Sequence, residues 1–310
     1  MLKFIAIRLL QFPLILAVIY LITFALVWVA PGSPFEQTDR KLDPVAQEVL
    51  LREFHADKWY TFLAYYPTRL IAHGDFGPSM RYQGWTVNDI LATALPVSVT
   101  LGLFALIVAT LLGVGVGTLA AVRRGGFYDW FSLSLTLVGI SLPSFVAASL
   151  LLIIFCVQVP WFPIGHWGSL RDLVLPGFAL SLIPMAYTAR LTRVSMIDVL
   201  GNDYVRTARA KGLSNATVIW KHCLRNALLP VLSYLGPAAA ATFTGSFVVE
   251  KVFDVPGLGQ HFVNSVRNRD QTLILGTVMV YSVFLLAFNL LVDVGYALVD
   301  PRIDVTAKGN

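Results

Sequence analysis

The chain has 310 residues, 56% of them hydrophobic and only 13% charged, with a formal net charge of +5. A soluble domain keeps roughly a quarter of its residues charged to cover its surface, so an ordinary globular protein is excluded. So are a disordered chain, a collagen and, with only Cys156 and Cys223, a disulfide-stapled secreted module. What remains is an all-α polytopic membrane protein.

A spanning helix needs about 20 mainly apolar residues, and the charge-poor intervals predict six spans. The first covers 9–30. Its apolar stretch exceeds that of a cleaved signal peptide, and Pro31 follows the small residues Val29-Ala30, so it reads as a retained anchor. The segment 31–96 is of mixed charge and carries Trp59, Tyr60, Phe62, Tyr65, Tyr66 and Trp85, which predicts a small structured cap outside the membrane, with a helix over 45–54 after Pro44. Spans follow at 97–122 and 130–157, then a polar, proline-rich break at 159–163 and a span at 173–196. The stretch 198–228 is basic and proline-free. The fifth span covers 229–250, a loop runs over 253–270, and the sixth covers 272–297. The domain division is therefore an N-terminus with its first span over 1–30, the cap over 31–96 and a five-helix core over 97–310.

An even number of spans puts both termini on one side. With the N-terminus inside, thirteen basic residues face five acids on that side, and ten face twelve on the other. Short cytoplasmic loops retain Lys and Arg, so both termini are expected in the cytoplasm, and the basic balance reflects topology, with no nucleic acid as partner.

No phosphate-binding G-x-x-x-x-G-K-[ST], no G-x-S-x-G and no H-E-x-x-H occurs, and His55, His73, His166, His222 and His261 form no ligand spacing. This predicts no catalytic residue, no metal and no cofactor on this chain. Gly115-Val116-Gly117-Thr118-Leu119-Ala120 imitates a dinucleotide fingerprint but lies in an apolar helix, where Gly113, Gly115 and Gly117 are expected to let helices approach closely. Pro143, Pro176, Pro184 and Gly139 suit helices lining a pathway and equally suit packing kinks. Asp293, an acid near the cytoplasmic end of the last span, is read as a structurally paired charge.

The strongest signal is Asp203 to Leu213. Ala208 and Ala210 are small, Gly212 is a natural helix stop, and Arg206, Arg209 and Lys211 project charge. That predicts a short helix ending in a turn, shaped to sit in a groove on a partner.

The segment resembles the cytoplasmic coupling loop of ATP-binding-cassette (ABC) importer permeases, in the form used by the peptide and nickel branch. Against the pattern E-A-A-x-x-x-G-x9-I-x-L-P, Ala208, Gly212 and Leu224 match, whereas Arg206, Thr207, His222 and Arg225 depart from it as the peptide branch does. The likeness extends to Ala30-Pro31-Gly32-Ser33-Pro34-Phe35, His73-Gly74-Asp75-Phe76-Gly77-Pro78-Ser79, Ser233-Tyr234-Leu235-Gly236-Pro237-Ala238, Thr244-Gly245-Ser246, Pro256-Gly257-Leu258-Gly259-Gln260 and Asn268-Arg269-Asp270. Together these are similar to the B-type inner-membrane permease of oligopeptide importers. The resemblance implies a type I importer permease fold in the bacterial inner membrane and a homologous C-type permease as partner. It also implies two ATPase subunits that hold the ATP and magnesium, and an external binding protein that delivers peptide. In this reading Arg206, Thr207, Ala208, Arg209, Ala210, Lys211 and Gly212 couple to the ATPase, and Pro256, Gly257, Leu258, Gly259 and Gln260 touch the outer gate or the binding protein. Dipeptides, nickel or another small solute are the alternative cargo.

Overall fold

The computed structural model describes residues 2–32, 35, 44–82 and 84–299; the side chains of 2–4, 44, 46, 47, 244, 245, 292, 293 and 295–299 fall outside that description. The Asp293 carboxylate and the signature residues Ser33 and Pro34 therefore lie outside it. The helices are α1 (Leu2–Val29), α2 (Pro44–Glu53), α3 (Trp59–His73), α4 (Val87–Val122), α5 (Phe127–Ser141), α6 (Ser144–Leu152), α7 (Leu170–Leu200), α8 (Asp203–Ala210), α9 (Asn215–Thr217), α10 (Leu224–Ala227), α11 (Leu229–Phe253), α12 (Leu258–Asn268) and α13 (Gln271–Val299). The stretches Ile153–Gln158 and Val218–Cys223 are π-helical. Among the described residues the only β pairing is an isolated bridge between Pro78 and Thr86.

Among the described residues four helices (α1, α4, α7 and α13) are each long and apolar enough to cross a membrane, and counting each of two bent helix pairs as one span gives the expected six. The third span is not the straight helix expected over 130–157. It is α5 followed by Ser144–Gln158, bent by 103°. Pro143 has no amide proton and forces the preceding residue out of the helical region, and Leu142 is extended at φ −86°, ψ 118°. The second span starts at Val87, ten residues earlier than the expected 97. Thr86 and Asp89 cap it reciprocally: the Thr86 amide donates to Asp89 Oδ2 at 3.3 Å and the Asp89 amide to Thr86 Oγ1 at 3.2 Å. A second cap of the same kind opens α7, where the Ser169 amide donates to Asp172 Oδ2 at 2.9 Å.

The chain divides into two compact units, one of residues 1–98 with 256–290 and the other of 99–255 with 291–310. In the first, the 31–96 segment shares its core with the spans. Tyr20, Phe24, Phe62, Tyr66, Met80 and Leu275 form one buried cluster, with Trp28, Phe54 and Phe76 packed against it. Phe24 meets Phe62 at 6.2 Å and Tyr20 stacks on Tyr66 at 6.0 Å, so α3 runs alongside α1 in the opposite direction.

In the second unit α7 is the central helix, packed against α5, α6 and α11. Small residues set its contacts. A Cβ on Gly113 would come within 2.7 Å of Thr188 Cβ, one on Gly117 within 2.7 Å of Thr192 Cβ, and one on Gly139 within 3.0 Å of Ala186 Cβ. Gly115 corrects the sequence reading: a Cβ there meets nothing within 4 Å. Its neighbours two residues away are four apart and share a helix face, and an odd glycine between them points elsewhere.

Candidate functional site

The coupling segment is built as a small folded knob. Asn202 and Asp203 open α8, Lys211 ends it, and Gly212 takes the left-handed conformation at φ +77° that an L side chain rarely adopts. Ser214 then caps the next turn, accepting from the Thr217 amide at 3.3 Å. One face of α8 is apolar. Val205 and Ala208 are buried with Ala121, Met196, Val218, Cys223, Leu224 and Ala227. Tyr204 adds a polar tie, its hydroxyl accepting from Asn226 Nδ2 at 3.0 Å and donating to the His222 carbonyl at 3.4 Å.

This cluster fixes what the knob can present. Arg206, Thr207, Arg209, Ala210, Lys211 and Gly212 are exposed, whereas Ala208 faces its own chain and seats the helix. Arg206 makes only a long, fully surface pair with Asp203 at 3.5 Å, which leaves it available to a partner. Tyr204, Leu213 and Trp220 are also exposed, Trp220 at 62%. Sequence reasoning passed over Trp220. An indole in a basic loop was its signal, but only the fold shows that it is exposed. Cys223 is fully buried in that cluster, and burial pushes its thiol above the ordinary range, with Arg209 opposing.

The second predicted group is mostly inward. Pro256 is exposed, but Gly257, Leu258 and Gly259 are buried and Gln260 is half-buried. The Leu258 amide, in the first turn of α12, donates to Ser98 Oγ at 2.9 Å. These residues anchor α12 more than they present a surface.

Two buried acids organise the rest, and neither was singled out as a site from the sequence. Asp270, fully buried, accepts from the Ser79 hydroxyl, the Met80 amide at 3.2 Å, the Arg81 amide at 3.3 Å, Thr272 Oγ1 at 3.0 Å and the Leu273 amide at 3.1 Å. It thereby ties the 73–79 signature to the start of α13, joining two motifs nearly 200 residues apart. Asp129, 5% exposed, accepts from Arg193 Nε at 2.5 Å and Nη2 at 3.1 Å and from the Gly125 amide at 2.9 Å. That bidentate pair locks the first turn of α5 to α7.

This helical framework is that of a type I ABC importer permease. A crystal structure described as an amino acid ABC transporter with histidines matches it with a TM-score of 0.52 and 18% identity, over 68% of this chain and 94% of that one. Residues 113–305 match the family described as "Binding-protein-dependent transport system inner membrane component", and the chain belongs to that family of multi-pass membrane proteins. It is 46% identical to the dipeptide transport system permease protein DppB of Bacillus subtilis (strain 168), over 94% of each chain. It is 42% identical to the oligopeptide transport system permease protein OppB of Salmonella typhimurium, over 98% of this chain and 99% of that one.

Proposed function

We propose that this chain is the permease subunit of an ATP-driven importer that carries oligopeptides across the bacterial inner membrane. The observation that carries this is near-full-length identity of 42–46% to permeases named for peptide transport. The chain would work beside a homologous permease, with two ATPase subunits holding ATP and magnesium and an external binding protein delivering peptide. Both termini would lie in the cytoplasm, as the basic residues favour. Dipeptides are the second reading, supported by the relative named for them. Uptake of labelled peptides of graded length, from dipeptide to pentapeptide, by cells lacking and then regaining the gene separates the two. No difference in uptake at any length would sink both.

In this reading the subunit makes no chemical bond. Nucleotide binding on the ATPases favours one arrangement of the permeases over the other, and the exposed face of α8 receives that bias. Its left-handed exit at Gly212 and its seat on Val205 and Ala208 transmit the push as a rigid body. Gly212→Pro demands φ near −65° where the backbone has +77°. In the assembled transporter it should leave ATP hydrolysis running while peptide uptake falls; unchanged uptake would remove α8 from the coupling route.

A further inference from the structure

The 31–96 segment reads as a water-exposed cap, yet part of it borders a groove at membrane depth. A groove of about 910 Å³ is lined by residues 13–21 of α1, 63–71 of α3 and 279–287 of α13, with Phe76, and Leu95 of α4, completing its wall. Counting 1.5 Å per residue, its α1 lining lies roughly 13–25 Å below residue 30. Its α13 lining lies roughly 12–24 Å below Gln271. Two antiparallel spans thus place the groove independently at one depth, within a hydrocarbon layer about 30 Å thick.

The polar groups of the groove agree with that depth. Among its described lining residues the only side-chain oxygens or nitrogens are the hydroxyls of Tyr20 and Tyr66, and both are spent on backbone: Tyr20 donates to the Leu63 carbonyl at 3.0 Å and Tyr66 to the Thr272 carbonyl at 3.3 Å. The Leu63 carbonyl is the one that Pro67, four residues on and without an amide proton, leaves unbonded in α3. Water would satisfy it at a surface; here a side chain from a membrane span does. The guanidinium of α3, Arg69, is bonded to Asp75 at 2.9 and 2.5 Å and to the Tyr65 hydroxyl at 3.1 Å. At the opposite end of α3, Trp59 and Tyr60 are exposed, as anchors at a membrane–water boundary are. At 15 residues α3 is too short to cross.

We propose that α3 enters the hydrocarbon layer from its outer side without crossing it, and that the groove it forms with α1 and α13 holds an acyl chain of a bilayer phospholipid. The inference rests on the reading of α1 and α13 as spans. A groove with no free donor or acceptor has nothing with which to orient a peptide, whereas an acyl chain needs only apolar walls. A water-soluble partner cannot reach that depth.

Both native cysteines of this chain are buried, so a cysteine placed by Ile71→Cys can be spin-labelled selectively in a transporter assembled with cysteine-free partner subunits and reconstituted in phosphatidylethanolamine–phosphatidylglycerol vesicles. Ile71 is 84% exposed at the groove's rim, and Leu14→Cys on α1, 68% exposed, gives the membrane reference. The expected result is that both labels collide with oxygen and are shielded from a water-soluble nickel chelate. A phospholipid carrying a diazirine in its acyl chain should label 63–71, and Ala17→Phe with Ala287→Phe, which fill the groove, should reduce that labelling severalfold while labelling at Leu26 persists. A label at position 71 open to the nickel chelate overturns the proposal, as does one shielded from both probes by a second permease. A Leu14 label open to water would instead remove the spanning reading underneath, and the groove with it.

Discussion

Three glycines two residues apart look alike in the sequence but have different surroundings. Gly113 and Gly117 seat α4 directly on α7, while Gly115 looks into open space. Gly117→Ala is therefore expected to destabilise by about 1–3 kcal/mol through overpacking against Thr192 and the α7 backbone, and Gly115→Ala to be silent. Thermal inactivation of the purified transporter in detergent checks the contrast; equal midpoints for the two variants would contradict the packing. The Asp129–Arg193 pair has a different sensitivity. Asp129→Ala leaves a guanidinium, 19% exposed, without its partner, at a cost of roughly 3 kcal/mol. The double variant Asp129→Ala, Arg193→Leu should recover part of that loss, because no stranded charge remains. A double variant as unstable as the single one would show that the pair is not the source.

At the scale of elements, the 3.6-residue helices were legible where apolar runs were long. The spans expected over 173–196, 229–250 and 272–297 lie within α7, α11 and α13, whose ends fall within about four residues of expectation, whereas α1 begins at Leu2, well before the expected 9. Hydropathy averages over windows, so it cannot see the 103° bend that one Leu-Pro step produces, nor the Thr86–Asp89 cap that lengthens α4 by three turns. The knob around α8 was legible in part. The charge pattern and Gly212 announced a short helix and its stop, but a list of exposed and small residues does not say which face is the seat. Val205 is that seat, fully buried among Met196, Val218 and Cys223. Val205→Asp should free α8 from its cluster, an unpaired buried charge being intolerable there. Protease sensitivity within 203–213 should rise and uptake should fall with the membrane spans intact. Protection equal to wild type would mean that α8 is held by something else.

Across the molecule, the long-range joints were the least legible part, because nothing local in a sequence marks two segments as neighbours. Asp270 is the example. It ends a short motif, and His73 to Ser79 forms another, yet only the fold brings the Ser79 hydroxyl and the Met80 and Arg81 amides onto its two oxygens. Asp270→Asn keeps one acceptor oxygen and turns an NH₂ toward existing donors, so one side of the joint is lost whichever way the amide lies. The expected cost is about 2–3 kcal/mol, concentrated in the 78–82 turn, where hydrogen exchange should accelerate while that of α7 stays unchanged. Uniform acceleration through both units would refute a local role.

The bidentate bond between Asp129 and Arg193 also constrains how the chain is made. A lone guanidinium near the end of an apolar helix resists partition into lipid, and here its counter-charge lies 64 residues earlier in synthesis. Until the later helix is in place, each of the two charges has to be held by water at the membrane boundary, where long side chains can reach it. The ion pair is thus a joint that closes late in the making of the chain, when its second half has been synthesised.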